Sequence, residues 1–344
     1  MSRVDQATSN TVTACIPSAF PDLPWGWYYG CQLRDLYRGP IKVQVGRGTY
    51  VVFRTEAGHV AALDARCVHM GADLSLGCVV GEQLRCPFHE WEFSGDGACV
   101  RIPASAEVPA FARQRSYPVA VRGPHVFLFN QPSSLFDMPF YDGRLPDDLL
   151  PAAPFDATVG LPWYMVAANG FDLQHFRAAH DRTLIGEPIV ERIAPFARRI
   201  TARFAVTGQG VRDRLTRRFS GPEVTMTVTS WGGTIVLVTA EFRRTTSYGM
   251  VCITPIGADR SHLRTIVWVP RRSGAIARAL VDPLDAAVRR SFIRAFMRSD
   301  QERSEGIRYT PGTLIGADAT LADYFTWLGE TVRGEAQRLE KVGK

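Results

Sequence analysis

The chain has 344 residues, 46% of them hydrophobic, and a formal net charge of +6, which is enough apolar material for two domains. Arginine is spread through 182–218 and 289–303 without interleaved stacking aromatics, the pattern of solvated faces rather than of a nucleic-acid stripe. No run approaches 18 apolar residues, and Met1–Phe20 is rich in Ser and Thr with no apolar core, so a soluble, cytoplasmic protein with neither membrane span nor secretory signal is expected.

Residues 1–24 read as an N-terminal arm and residues 25–135 as an all-β domain. Strands are predicted at Val43–Val45, Tyr50–Phe53 and His59–Leu63, divided by Gly46-Arg47-Gly48 and Glu56-Ala57-Gly58. Next comes Cys67-Val68-His69, then sixteen residues, then Cys86-Pro87-Phe88-His89. Two thiolates and two imidazoles in mixed pairs are what a Rieske [2Fe-2S] cluster needs, with two cysteines on one iron and two histidines on the other. A structural zinc site uses the same residue types but usually pairs Cys with Cys and His with His. The tips of two adjacent loops would carry the cluster, with its His-bound iron outward. Gly71, Gly77 and Pro87 suit tight loops, and Trp91-x-Phe93 follows the second pair. Ser94–Gly97 reads as a hairpin turn leading into Ala98–Pro103. Strands at Val119–Val121 and Val126–Phe129 flank Gly123-Pro124. Cysteines stand at 15, 31, 67, 78, 86, 99 and 252, and the five outside the cluster have no spacing that makes a disulfide framework.

The segment Gln131–Phe155, rich in Pro, Ser and Asp, reads as a polar crossing into an α+β domain at 136–344. A helix is expected near Asp172–His180. Strands follow at Arg199–Thr207, Glu223–Thr229, Thr234–Glu241, Met250–Thr254 and Leu263–Val269, then one long helix from about Pro283 to Arg308. His175 and His180 stand about 140° apart on a regular helix, so aiming both at one metal implies distortion or termination between them. On the long helix Ile293, Phe296 and Ile307 fall within about 40° of Asp300, whereas Glu302 and Glu305 face elsewhere. A carboxylate on that apolar face is costly unless it binds a metal or a cation; the plain alternative is a surface pair with Arg298 or Arg303. His59, His125 and His262 are isolated and are assigned no role. Trp231-Gly232-Gly233 reads either as a pocket wall or as a turn.

Together the Cys/His pairs and Asn169-x2-Asp172-x2-His175-x4-His180 resemble the catalytic subunit of the Rieske non-haem iron oxygenases, most like the monooxygenase and demethylase members, over roughly residues 25–335. The resemblance implies a helix-grip (START-like) catalytic domain, an antiparallel sheet curved around a C-terminal helix. It also implies a mononuclear Fe(II) held by His175, His180 and a carboxylate on that helix, where Asp300 fits, with open positions for O2. It implies further that Asp172 bridges the iron-ligand His of its own subunit to the outer cluster histidine, here His89, of the next subunit in a homotrimer, and that Asn169 lies near the iron; the plain alternative for each is a helix N-cap. Ala72 and Phe88 stand where high-potential Rieske proteins carry an extra cysteine pair, which implies the lower-potential type. Val68 and Met70 depart from the frequent Pro and Arg of the cluster loop. No Gly-x-Gly-x2-Gly follows a strand, so electrons would come from a separate reductase, with or without a ferredoxin. The competing reading is a Rieske electron carrier with a non-catalytic ligand-binding domain.

Overall fold

The computed structural model describes residues 20–310 and 312–342. Cys15 and the first nineteen residues of the expected arm lie outside them. The first part of the chain contributes eleven short strands: β1 (Trp27–Gln32), β2 (Ile41–Val45), β3 (Gly48–Arg54), β4 (Val60–Asp64), β5 (Cys78–Val80), β6 (Gln83–Arg85), β7 (Glu92–Ser94), β8 (Cys99–Arg101), β9 (Ser116–Tyr117), β10 (Val119–Arg122) and β11 (His125–Phe129). They form three antiparallel sheets, ordered β1-β11-β10, β2-β3-β4-β9 and β5-β6-β7-β8. The last of these is a small meander whose Leu84 and Phe93 share one core with Leu74, Trp91 and, from β3 and β4, Val51, Phe53 and Leu63. The expected hairpin is present, with Gly97 at φ +89 in the turn between β7 and β8.

The remainder forms an eight-stranded antiparallel sheet from β12 (Leu149–Pro151), β13 (Phe155–Val159), β14 (Arg182–Ala194), β15 (Ala197–Val206), β16 (Glu223–Trp231), β17 (Ile235–Phe242), β18 (Thr245–Gly257) and β19 (Arg260–Pro270). Its order is β12-β19-β18-β17-β16-β15-β14, with β13 also paired to β19. Five helices accompany it: α1 (Trp163–Ala168), α2 (Leu173–His180), α3 (Val211–Phe219), α4 (Asp282–Ser304) and α5 (Ala319–Val342).

Strand alternation gives the central sheet two apolar faces. Ile235 and Leu237 of β17, Tyr248 and Met250 of β18, and Ile266 and Trp268 of β19 pack on one side with Trp27, Phe127 and Phe129 from the first part of the chain. The intervening Val236, Val238, Gly249, Val251, Leu263 and Thr265 point the other way, into a cavity beneath α4. Each fully buried large apolar side chain contributes roughly 1.5–3 kcal/mol, so the many shared across this seam hold the two parts as one body. The polar crossing expected over Gln131–Phe155 is in fact part of that seam. Met138, Tyr141 and Leu149 are buried in it, and β12 joins the sheet edge.

Two more expectations change. There are two long C-terminal helices rather than one. The second, α5, places Tyr324, Phe325 and Leu328 against Phe171 and Trp163. Helix α4 ends at Ser304, four residues early, and is preceded by a π-helical turn at Ala277–Val281. Trp231-Gly232-Gly233 is the turn between β16 and β17, with both glycines at positive φ.

Candidate metal centres

The first pair of cluster residues sits in a loop closed by Cys67 N–H donating to the Ala72 carbonyl (2.8 Å) and Gly71 N–H to the Cys67 carbonyl (2.7 Å). The second is closed by Cys86 N–H to the Trp91 carbonyl (2.8 Å). Between the loops, the chain entering β5 passes so close to the end of β6 that a Cβ on Gly77 would lie 2.1 Å from the Arg85 carbonyl oxygen, which is why glycine stands there. Both cysteines are buried and both histidines exposed, the inside-out order expected of the cluster. The His69 ring lies flat on Trp91 (4.4 Å between centroids, 5°) and 4.7 Å from the His89 ring.

The donor set fits a two-iron cluster better than a single zinc. Among the described residues, no three of Cys67, His69, Cys86 and His89 bring ligating atoms as close together as His175, His180 and Asp300 do, whereas one tetrahedral ion needs all four on one point. Burial, with the neighbouring Cys86 thiol adding to it, pushes the Cys67 thiol up to about 11. Bound iron supplies the positive charge that would hold both sulfurs as thiolates.

One residue of this centre carries no sequence signal. Gln114 is 2% exposed; its Oε1 accepts from Val68 N–H (2.8 Å), and its Nε2 donates to the carbonyls of Asp64 (2.9 Å) and Arg66 (2.7 Å). It pins the first cluster loop to the end of β4.

The second centre is built where α1 stops. Asn169–Phe171 form a 3-10 turn, and Asp172 is extended (φ −86°, ψ 97°) before α2 starts. The Asp172 carboxylate caps α2: Oδ1 accepts from Gln174 N–H (3.0 Å) and His175 N–H (3.2 Å). Its main-chain carbonyl, not its carboxylate, takes His175 Nδ1–H. That corrects the expected contact of the carboxylate with the same subunit's imidazole. With Nδ1 so occupied, His175 presents Nε2 outward, and burial shifts the ring toward its neutral, ligating form.

The expected distortion between the histidines is also corrected. Helix α2 runs through both and ends after His180, with Asp181 in the left-handed region at φ 52°. The two rings lean toward each other, their centroids 5.4 Å apart. Among the described residues the only non-glycine positions at positive φ are Glu90 and Asp181, each directly after the second histidine of a pair. Such conformations are uncommon for side-chain-bearing residues and persist where the surroundings enforce them.

Asp300 comes from α4, which Ser299 latches to α2 through the Ala179 carbonyl (3.1 Å). Its Oδ1 lies 2.6 Å from His180 Nε2 and 3.9 Å from His175 Nε2. The three donors fall within 4.8 Å of one another. His180 Nε2 and Asp300 Oδ1 are close but make no hydrogen bond of acceptable geometry, and both are buried. Buried polar atoms left this way are costly. A cation among them removes the cost, and two imidazoles with one carboxylate suit Fe(II). Phe296 stacks on His180 (3.4 Å, 12°), as expected of the face that carries Asp300. Ile307 lies beyond the helix end and is exposed. Arg298 pairs with Glu302 (2.8 Å) at the surface rather than with Asp300.

Asn169 Nδ2 reaches to 3.5 Å from His175 Nε2. Behind it, α5 braces the turn: Thr320 donates to the Phe171 carbonyl (2.7 Å), and Tyr324 stacks on Phe171 (4.2 Å). His175, His180 and Asp300 thus offer ligand atoms for one ion, and His175 and Asp300 line a cavity of about 650 Å³.

A family model described as the Rieske [2Fe-2S] domain matches residues 26–112. Over 108 residues the chain is 41% identical to a probable 3-ketosteroid-9-alpha-monooxygenase, oxygenase component, of Rhodococcus rhodochrous, covering 31% of this chain and 27% of that protein. It is 30% identical over 171 residues to cholesterol 7-desaturase nvd of Drosophila melanogaster, covering 48% and 40%. The matched stretches thus span well under half the length of these curated relatives. Solved structures extend the likeness to nearly the whole chain. Dicamba monooxygenase bound to dicamba superposes with a TM-score of 0.68 at 20% identity, covering 91% of this chain and 98% of that one. The QL mutant of Pseudomonas putida CBB5 NdmA with theobromine superposes with a TM-score of 0.66 at 18% identity, covering 90% and 91%. Among the described residues no helix is long and apolar enough to cross a membrane. Residues 26–112 are a Rieske [2Fe-2S] domain, and the chain as a whole shares the fold of dicamba monooxygenase and NdmA.

Proposed function

We propose that this chain is the terminal oxygenase component of a multicomponent system, oxidising an apolar or aromatic small molecule by hydroxylation, demethylation, N-oxygenation or cyclisation. The observation that carries the reading is the convergence of His175, His180 and Asp300 on one point at the inner end of an apolar cavity. When bound, the Rieske cluster supplies electrons singly and Fe(II) supplies the activation of O2.

The chain's own residues do the rest. Cys67, His69, Cys86 and His89 hold the cluster at the protein surface. His175, His180 and Asp300 hold the iron, with the Asp172 carbonyl fixing the His175 tautomer. Asn169 offers an amide beside the open side of that site. Apolar side chains from β16 to β19 and α4 exclude water and position the substrate. The Asp172 carboxylate has an oxygen to spare beyond its helix cap, since both capping bonds fall on Oδ1. We assign that oxygen to His89 of a neighbouring copy in a homotrimeric ring, a heterologous interface that closes by threefold rotation. The domains are a Rieske unit at 25–135 and a catalytic unit at 136–344. The electron donor is a separate reductase, with or without a ferredoxin, in the cytoplasm.

A pure electron carrier would leave three convergent metal-ligand side chains without a role. Single-turnover mixing of the reduced, iron-loaded protein with O2 tests the choice. Cluster reoxidation coupled to oxidised product supports an oxygenase. Reoxidation with no product from any apolar candidate, and no dependence on His175 or His180, contradicts it.

A further inference from the structure

The shape and charge of the cavity go further than its apolar character and, taken with the oxygenase reading of the same site, point to a substrate class. The cavity-facing side of α4 runs from Asp285 through Arg289, Phe292 and Phe296 to Asp300 and Ser304, one stripe at steps of three and four residues. At ~1.5 Å per residue this stripe is ~28 Å long, and Arg289 lies ~16 Å from Asp300 along the helix axis. The cavity is therefore a channel lying along the helix, with the triad toward its inner end. It opens between α3 and the first half of α4, where the lining residues Leu215, Phe219, Val288 and Phe292 are 38–65% exposed.

Charge on the wall is fully spoken for. Apart from the triad, the charged side chains that reach it are Arg182, Asp285 and Arg289. Arg182 is held by Asp213 and by the His180 carbonyl, both at 2.7 Å. Arg289 bonds Asp285 (2.6 Å), the Thr246 carbonyl (2.6 Å), the Ser247 hydroxyl (2.7 Å) and the Thr245 hydroxyl. Among the described residues no unpaired cation on the wall is left to receive a carboxylate or phosphate, and burying an uncompensated anion there would be strongly unfavourable.

The same network creates a reader of neutral oxygen. The hydroxyl oxygens of Thr245 and Ser247 accept from Arg289, so each keeps its own O–H to donate, and both residues line the channel near its mouth. We infer that the substrate is an elongated, uncharged, lipophilic molecule that carries a hydrogen-bond-accepting oxygen at the end away from the oxidised atom. Its apolar end reaches the triad, and its oxygen stays at Thr245 and Ser247. Dicamba, a single-ring carboxylate, falls outside this class.

Equilibrium dialysis of the iron-loaded protein tests the inference with three probes: progesterone, 2-tridecanone and dicamba. The expected result is one molecule of at least one of the two uncharged ketones bound per chain, at least tenfold tighter than dicamba. Two variants check that the binding is in the channel. Gly249 lines it, and a Cβ there would meet only Val238 at an ordinary 3.8 Å, so Gly249→Phe fills the lumen and should abolish ketone binding. Ser247→Ala removes one neutral hydrogen bond and should weaken it roughly fivefold. The cluster's visible spectrum and circular dichroism report whether each variant is folded, and Ser247→Ala still tests the claim if Gly249→Phe is not. Tighter binding of dicamba, binding of neither ketone, or ketone binding unchanged by Ser247→Ala would overturn the assignment. The oxygenase reading is judged separately, by adding reductant and O2 to the bound complex. A ketone that binds as expected but is never oxidised upholds the channel and counts against oxygenation, whereas oxidation of dicamba without ketone binding does the reverse.

Discussion

Gln114 offers the sharpest perturbation of the cluster loops, because one buried side chain satisfies three main-chain groups there. Gln114→Leu keeps nearly the same volume but removes every one of those bonds. A neutral hydrogen bond contributes about 1 kcal/mol net, and a buried group left unpaired costs about 1–3 kcal/mol. Val68 is partly exposed, so water can recover part of its share, which puts the total near ~3 kcal/mol. That energy acts on local opening of the loop rather than on global unfolding. At 1.4 kcal/mol per factor of ten, the open population rises on the order of 100-fold. Cluster loss under a strong iron chelator, followed by bleaching of the visible spectrum, proceeds through that open state and should accelerate by a similar factor. The variant should otherwise fold and load its cluster under anaerobic conditions. A bleaching rate within twofold of the parent would refute the reasoning, since the three bonds would then contribute almost nothing to closing the loop.

Gly77→Ala places a Cβ against the Arg85 carbonyl; main chain cannot swing aside as a side chain can, so the variant should load less cluster per chain, read as the ratio of visible to protein absorbance. Burial holds the His125 imidazole down at about 4 instead of 6.5. The unfolded chain therefore takes up a proton below pH 6.5 while the folded one does not until about pH 4, and the stability present above pH 6.5 is lost as pH falls through that window. The loss is roughly 3 kcal/mol at most, at 1.36 kcal/mol per unit. Urea midpoints between pH 7 and pH 5 should fall, and His125→Gln should flatten that slope. Asp172→Asn keeps shape and a hydrogen-bonding group but removes the charge assigned to the bridge. Both centres should stay loaded while stopped-flow reoxidation of the cluster slows by orders of magnitude, and unchanged reoxidation in an intact trimer would remove the bridge from the account.

The parts of the fold that alternate cleanly are legible in the sequence. Glu223–Thr229, Thr234–Glu241 and Leu263–Val269 each fall on a strand of the central sheet, because one face meets the Rieske sheets and the other the channel. The edge strand β14 is not. Gly186 at positive φ and a register break between Ile185 and Ile189 interrupt its period, and its charged residues read as a solvated face. Helix α3 hides for a related reason: Val211, Leu215 and Phe219 recur at helical spacing, but they are exposed at the channel mouth among arginines. Helix α5 does carry a stripe, Leu321, Tyr324, Phe325, Leu328 and Val332, which the expectation of a single C-terminal helix leaves without a place. At the sites, residue types and spacing reveal the metal ligands, since few chemistries use Cys-x-His with Cys-x2-His. Gln114 escapes because its partners are main-chain groups 46–50 residues away. Asp172 shows how far spacing can mislead: its position is as expected, yet within the chain its carboxylate serves the helix end and its carbonyl serves the histidine.

The central claim is that one chain holds two separate iron centres, and metal stoichiometry tests it most directly. Protein expressed and purified anaerobically with ample iron should contain three irons and two acid-labile sulfides per chain, counting two irons and two sulfides for the cluster and one iron for the triad. Asp300→Ala should hold two irons and two sulfides with an unchanged visible spectrum, while Glu302→Ala, whose carboxylate pairs with Arg298 at the surface, should keep all three. A colourless, zinc-loaded protein, a parent with two irons, or an Asp300→Ala variant that still carries three would contradict the account.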